Sequence, residues 1–132
     1  MADRLILETT FLIDLEREVR KSEAGRATTF LQEHPQAGLA VTLVTAGEIA
    51  GGPEQNDRDR WHELLRRFQI LEINLDVCWI YGRIFRHLAD NGLLIGTNDL
   101  WIAATAVAHG LPLVTRNGRH FRRVAGLHVI DY

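Results

Sequence analysis

Glu8, Glu48, Asp99 and Asn117 are the residues of this chain whose types and placement could do chemistry together. Leu5-Ile6-Leu7 runs into Glu8, and Val41-Thr42-Leu43 precedes Glu48. Asn98-Asp99 opens an alanine-rich stretch, and Val114-Thr115-Arg116 leads to Asn117. Three carboxylates and an amide are oxygen donors. A hard divalent cation such as Mg²⁺ is held by a few such oxygens while it keeps several waters. Two carboxylates about 4 Å apart repel by about 4 kcal/mol at intermediate dielectric. Without a counter-ion one of them is driven to take up a proton. A cation removes that repulsion, and such an ion activates water and offsets charge developing on phosphorus, which suits phosphodiester hydrolysis.

Each of the four also has a plainer explanation. Glu8 could end a strand in solvent. Glu48, the fourth residue of Thr45-x-x-Glu48, could close a capping box. An acid in a first helical turn, as Asp99 would be, is favoured by the helix dipole. Asn117 ahead of Gly118 is a turn former. None of these explanations requires the four to meet, so the elements that carry them decide the matter.

Leu5-Ile6-Leu7, Gly38 to Thr42, Ile70 to Ile73, Leu113-Val114-Thr115 and His128-Val129-Ile130 read as strands. The short all-apolar runs suit strands buried on both faces of a parallel sheet. Phe11, Leu12, Leu15 and Val19 are spaced for a helix after Glu8. A second helix is expected over Ala24 to Gln32, stopped by Pro35. A third starts at Thr45 and is broken by Gly51-Gly52-Pro53. A fourth spans Arg60 to Phe68. Asp76 is the expected cap of a helix whose Val77, Ile80, Tyr81, Ile84, Phe85 and Leu88 form one apolar stripe ended by Gly92. Thr97-Asn98-Asp99 opens the last long helix, ended by Gly110 and Pro112. Strands alternating with helices predict a three-layer α/β/α fold around a mostly parallel sheet, with residues 1–132 as a single domain. In such folds ligands bind beyond the carboxyl ends of the strands. That is the side on which Glu8 and Asn117 end strands and Glu48 and Asp99 enter helices.

The chain has 132 residues, is 46% hydrophobic and carries a formal net charge of -2, so bulk charge selects no partner. Its distribution is more telling. Leu100 to Leu127 contains no Asp or Glu but holds Arg116, Arg119, Arg122 and Arg123, and Lys21 is the sole lysine. Arginine offers a planar fork matched to phosphate; a solvated surface would use the same residues. The one cysteine, Cys78, excludes an internal disulfide, and with Val77 it reads as core. Met1-Ala2-Asp3-Arg4 lacks signal-peptide organisation. No apolar run approaches the roughly 20 residues of a membrane span, so a cytoplasmic protein is expected.

The stretch Gly92-Leu93-Leu94-Ile95-Gly96-Thr97-Asn98-Asp99-Leu100-Trp101-Ile102-Ala103-Ala104, continuing through His109-Gly110-Leu111-Pro112-Leu113-Val114-Thr115-Arg116-Asn117 to Phe121, resembles the PIN-domain ribonucleases. It is especially similar to the VapC toxins of bacterial toxin–antitoxin pairs. Leu7-Glu8-Thr9-Thr10 through Asp14 and Thr45-Ala46-Gly47-Glu48-Ile49 match the first two acidic motifs of that family. The resemblance covers essentially the whole chain. It implies a PIN-like fold and a Mg²⁺- or Mn²⁺-dependent endoribonuclease. The metal-binding acids would be Glu8, Glu48 and Asp99, with Asn117 in the place of a fourth acid. Thr9 and Thr115 would line the site, and cleavage would leave 5′-phosphate and 3′-hydroxyl ends. It also implies a homodimer and a VapB-type antitoxin that lays a segment across the cleft. One departure stands out, because the family has Asp where this chain has Glu8. The longer side chain moves the carboxylate by one methylene, against a cation strict about ligand geometry.

Arg116 and Arg119, with Arg122 and Arg123, would hold the RNA backbone. Asp14, six residues after Glu8, could support the cleft, but a solvent-facing helical acid is the favoured reading; Trp61, Trp79 and Trp101 would pack, with Trp101, beside Asp99, also placed to line the cleft. A rival reading keeps the acidic cleft as a non-catalytic receiver of a basic partner segment. A phosphoacceptor receiver domain of similar length would need a lysine after its last strand, and this chain has none there. The six histidines show no zinc spacing, and no Gly-rich phosphate loop occurs.

Overall fold

Leu5 and Leu7 of the first strand pack into one hydrophobic cluster and Ile6 between them into another, as the two-residue period of a strand requires. A computed structural model describes residues 3–132, so Met1 and Ala2 of the N-terminal segment lie outside the described residues. The strands are β1 (Arg4–Leu7), β2 (Gly38–Thr42), β3 (Gln69–Leu71), β4 (Leu113–Val114) and β5 (Val129–Ile130). They form one sheet in the order β3-β2-β1-β4-β5, and every pairing is parallel. The mostly parallel sheet expected from the sequence is therefore parallel throughout.

Helices α1 (Thr9–Lys21), α2 (Arg26–Glu33), α3 (Leu43–Ala50) and α4 (Arg58–Leu65) accompany the cluster of Leu5, Leu7, Phe11, Phe30, Val41 and Val114. Helices α5 (Leu75–Asp90), α6 (Thr97–His109) and α7 (Gly118–Phe121) accompany Ile6, Ala40, Leu88, Ile102, Leu113 and Phe121 on the other face. This is the three-layer arrangement. Trp61 ties α4 to α3 through a 3.0 Å hydrogen bond from its indole N–H to the Ala46 carbonyl.

Four details depart from the sequence reading. The cap of α3 is Thr42, whose hydroxyl accepts the Thr45 amide, so Thr45 is the third helical residue and no capping box involves Glu48. The cap of α5 is Asn74 and not Asp76, because its side-chain oxygen reaches the Val77 amide. Phe68 is buried but lies beyond the end of α4. The stripe along α5 packs inward except at Phe85, which is exposed; beside the stripe, Trp79, expected to pack, is 65% exposed with Arg83 lying over its ring, and Cys78 is exposed instead of core. Helical period places a side chain on a face but does not say that anything covers that face.

Glu18 of α1 caps the neighbouring helix. Its carboxylate accepts the backbone N–H groups of Gly25, Ala27 and Thr28 at 2.8, 3.1 and 2.9 Å. Gly25, the cap position of α2, has no side chain of its own, and a Cβ there would stand 2.7 Å from the Glu18 carboxyl carbon. Partial burial raises the Glu18 pKa, but the bonds from Thr28, Gly25 and Ala27 outweigh it and leave the pKa lowered. Its stabilisation is thus complete above the ordinary glutamate value of 4.5 and is lost as the pH falls through the lowered one. Glu18→Ala is expected to cost about 1–2 kcal/mol at neutral pH. Denaturant titrations of both proteins should show that gap closing in acid.

Candidate metal centre

β1 is the point at which the strand order reverses, with β2 on one side and β4 on the other. A crevice opens at such a switch point beyond the carboxyl ends of the strands. Glu8 follows β1 directly, and its backbone N–H bonds the Val114 carbonyl of β4 at 3.0 Å. Thr115 follows β4, Thr42 ends β2 and leads into α3, and Asp99 lies in the first turn of α6.

Glu8 is 2% exposed and is the cap of α1. Its Oε2 accepts the Thr10 amide at 2.7 Å, and its Oε1 accepts the hydroxyls of Thr115 at 2.6 Å and Thr10 at 3.1 Å. Burial raises its pKa above the ordinary value. The three donors lower it, and the charge of Asp99 raises it again. Asp99, with a side chain about one-third exposed, stands with Oδ2 3.1 Å from His120 Nε2. Its pKa is also raised, first by burial and then by Glu48, while His120 opposes the shift. Charge thus acts across one crevice: Glu48 raises the Asp99 pKa, and Asp99 raises that of Glu8.

Glu48 projects from the second turn of α3 and accepts the Thr9 hydroxyl at 2.7 Å. Because Thr9 donates there, its oxygen is left to accept from Thr45, 2.9 Å away. Thr42 in turn donates to Thr45 at 3.4 Å. These buried hydroxyls form a directed relay that ends on Glu48. Thr10, Thr42, Thr45 and His120 were not among the sequence candidates. The run Thr9-Thr10 beside Glu8 was the available signal for the first of them; nothing in the chain order marks His120 as a neighbour of Asp99.

Asn117 is exposed beyond β4, caps nothing with its side chain, and donates its backbone N–H to Thr115 Oγ1 at 2.9 Å. Arg116 pairs with Asp14 at 3.2 Å, and Arg119 is exposed. Arg122 and Arg123 are engaged within the fold, the first with Asp131 at 2.6 Å and the second with the carbonyls of Leu93 and Leu94 at 3.4 and 3.2 Å. Asp14, expected to face solvent, is buried. Trp101 stacks on Tyr81 with ring centroids 3.8 Å apart, a packing role.

The donor set is all oxygen, which suits a hard cation. Among the described residues no three His, Cys, Asp or Glu side chains already stand as a metal-holding group. The acids would have to close by side-chain movement. Glu48 and Asp99 have one side-chain partner each, Thr9 and His120, whereas Glu8 is held by three donors.

Residues 5–127 match the family model of the PIN domain. The chain belongs to the PIN-domain family. Within that family it is of the VapC type. It is 33% identical over 132 residues to Ribonuclease VapC1 of Haemophilus influenzae (strain R2866), an alignment covering 96% of each chain. The solved structure of VapBC-1 from nontypeable Haemophilus influenzae superposes with a TM-score of 0.75 at 26% identity, covering 97% of each chain. VapBC2 from Rickettsia felis, bound to a DNA fragment from its promoter, shares the fold at a TM-score of 0.79 and 21% identity over 98% of each chain. The two acidic motifs and the Asp99 turn of this PIN domain occupy the crevice described above. No helix among the described residues is long and apolar enough to cross a membrane.

Proposed function

We propose that this PIN-domain protein is a Mg²⁺- or Mn²⁺-dependent endoribonuclease, the toxin of a VapBC-type toxin–antitoxin module. The observation that carries the reading is the placement of Glu8, Glu48 and Asp99, from three separate elements, at the sheet's switch point, where Glu48 raises the Asp99 pKa and Asp99 that of Glu8. The names of similar proteins, ribonucleases and toxin–antitoxin complexes, agree with it. Glu48 and Asp99 would hold the cation, with Glu8 contributing through Oε2. When bound, the ion would supply Lewis acidity toward the scissile phosphate and its attacking water. The chain's own residues do the rest. Water adds to phosphorus in line with the departing 3′-oxygen, a cleft carboxylate takes up its proton, and the 3′-oxygen is reprotonated from solvent. The Thr42-Thr45-Thr9 relay keeps Glu48 aimed into the crevice, and Asn117 stands beside Thr115 to orient water. Arg116 and Arg119 meet the RNA backbone.

A groove of about 250 Å³ runs from Glu48 between α1 and α3, past Ile13, Arg17 and Gly52. Its mixed apolar and charged walls suit a VapB-type antitoxin segment. The protein forms a homodimer in this reading, supported by the uncovered apolar face of α5, where Leu75 is 86% exposed.

One observation favours a second reading, a catalytically weakened binding module: three donors occupy the Glu8 carboxylate. Calorimetric titration with Mn²⁺, paired with cleavage of a labelled RNA before and after EDTA, separates the two. The nuclease reading expects Mn²⁺ binding and cleavage that EDTA abolishes. A protein that takes up no Mn²⁺ and leaves RNA intact is the module.

A further inference from the structure

Asp14 is 9% exposed, and its carboxylate gathers one hydroxyl donor and two guanidinium groups. Tyr132 donates its hydroxyl to Oδ2 at 2.6 Å. Arg116 reaches Oδ1 at 3.2 Å, and Arg17, one turn along α1, lies 3.6 Å from the same oxygen. A buried acid needs a countercharge, and Arg17 on its own helix would serve. Arg116 comes instead from the loop after β4. It directly follows Thr115, which bonds Glu8, and nearly half of its side chain remains in solvent. Asp14 uses little of a guanidinium with five donors. Asp14 thus ties Tyr132 to the loop that carries both Thr115 and Arg116. Phe11 packs edge-on against the Tyr132 ring at 4.6 Å and fixes its place.

We propose that Asp14 and Tyr132 are positioning residues, which hold Arg116 at the lip of the cleft so that its free N–H groups meet a phosphate of bound RNA. This rests on the nuclease reading above. A guanidinium already immobilised by the fold loses little conformational freedom when phosphate arrives, and its contact gives affinity and register without sequence readout.

The test is binding of a fluorescein-labelled single-stranded RNA, followed by anisotropy in EDTA across a salt series, in an Asp99→Asn background that keeps the RNA whole. Asp14→Asn preserves shape and an acceptor for Tyr132 but removes the charge. It should weaken binding about tenfold and lower the slope of log affinity against log salt by about one. Arg116→Ala should do the same, and the double variant should lose no more than either single one. Tyr132→Phe should move in the same direction by a smaller factor. If Asp14→Asn lowers the melting temperature but leaves affinity and slope unchanged, or if the two losses add, Asp14 is structural only and the proposal is overturned. Where Asp14→Asn does not fold, the Tyr132→Phe and Arg116→Ala cycle decides by the same criterion. A parent protein that binds no RNA overturns the nuclease reading and this one together. RNA binding indifferent to Arg116 overturns this one alone.

Discussion

Asp99→Asn is expected to abolish divalent-cation-dependent RNA cleavage while making the cation-free protein slightly more stable at neutral pH. The two effects have one cause. Asp99 is partly buried and faces Glu48, and both influences raise its pKa. An acid whose folded pKa lies above its unfolded value binds its proton more tightly when folded. It therefore contributes stability below the ordinary aspartate value of 3.8, and that contribution is lost as the pH rises through the raised value. The amide carries no charge to desolvate and does not repel Glu48. The loss of the His120 contact offsets part of the gain, so the melting temperature should rise by about 2 °C. The difference from wild type should grow with pH across the acid range and vanish or reverse when Mn²⁺ is added. Loss of a residue behind a metal ligand commonly costs about 10–100-fold, so loss of the ligand should exceed about 100-fold in cleavage rate. Calorimetric scans with and without Mn²⁺, beside a gel assay of RNA cleavage, check both halves. Cleavage at the wild-type rate would remove Asp99 from the site.

Much of this arrangement could be read from residue order, and the parts that could not share a reason. The strands were readable because both faces of a parallel sheet are apolar, so Leu5-Ile6-Leu7 and Leu113-Val114 are unbroken hydrophobic runs. Gly92 and Gly110 announce helix ends because they adopt positive φ there, 66° and 65°. The convergence of Glu8, Glu48 and Asp99 followed once strands and helices alternated. The environment of each acid did not follow. Thr45-x-x-Glu48 has the letters of a capping box, but α3 begins three residues earlier at Thr42, and that shift frees Glu48 for the crevice. Asp14 looks like any surface acid of an amphipathic helix until Tyr132, 118 positions later, donates to it. Trp79 has the character of a core residue but belongs to a face that no element among the described residues covers. Local patterns report periodicity and propensity. Which long-range partner meets a polar side chain is set by tertiary packing, and that is where most of the site's chemistry resides.

Glu8→Asp is the substitution expected to strengthen the site. The family resemblance has Asp at this position, and the structure gives a physical reason why Glu is costly. Glu8 must fold its longer side chain back to cap α1. In doing so it brings Oε1 against two hydroxyls, which use both lone pairs of that oxygen, and leaves Oε2 with one lone pair free beside the Thr10 amide. A cation approaching Glu8 competes with donors already in place. Asp remains a good cap, while its carboxylate retreats by about 1.5 Å from Thr115 and regains an open oxygen. Mn²⁺ affinity should rise by on the order of tenfold, and cleavage should rise with it. The cation-free protein should lose about 1–3 kcal/mol, because the buried Thr115 hydroxyl no longer has its acceptor. Thr115→Val isolates the cause, since it frees a lone pair on Glu8 without shortening the side chain, and should raise Mn²⁺ affinity in the same sense. If both variants bind Mn²⁺ no better than wild type, crowding by donors is not what limits the site. If Glu8→Asp binds it worse, the crevice is built around the longer acid, and Thr115 serves to aim that acid at the ion.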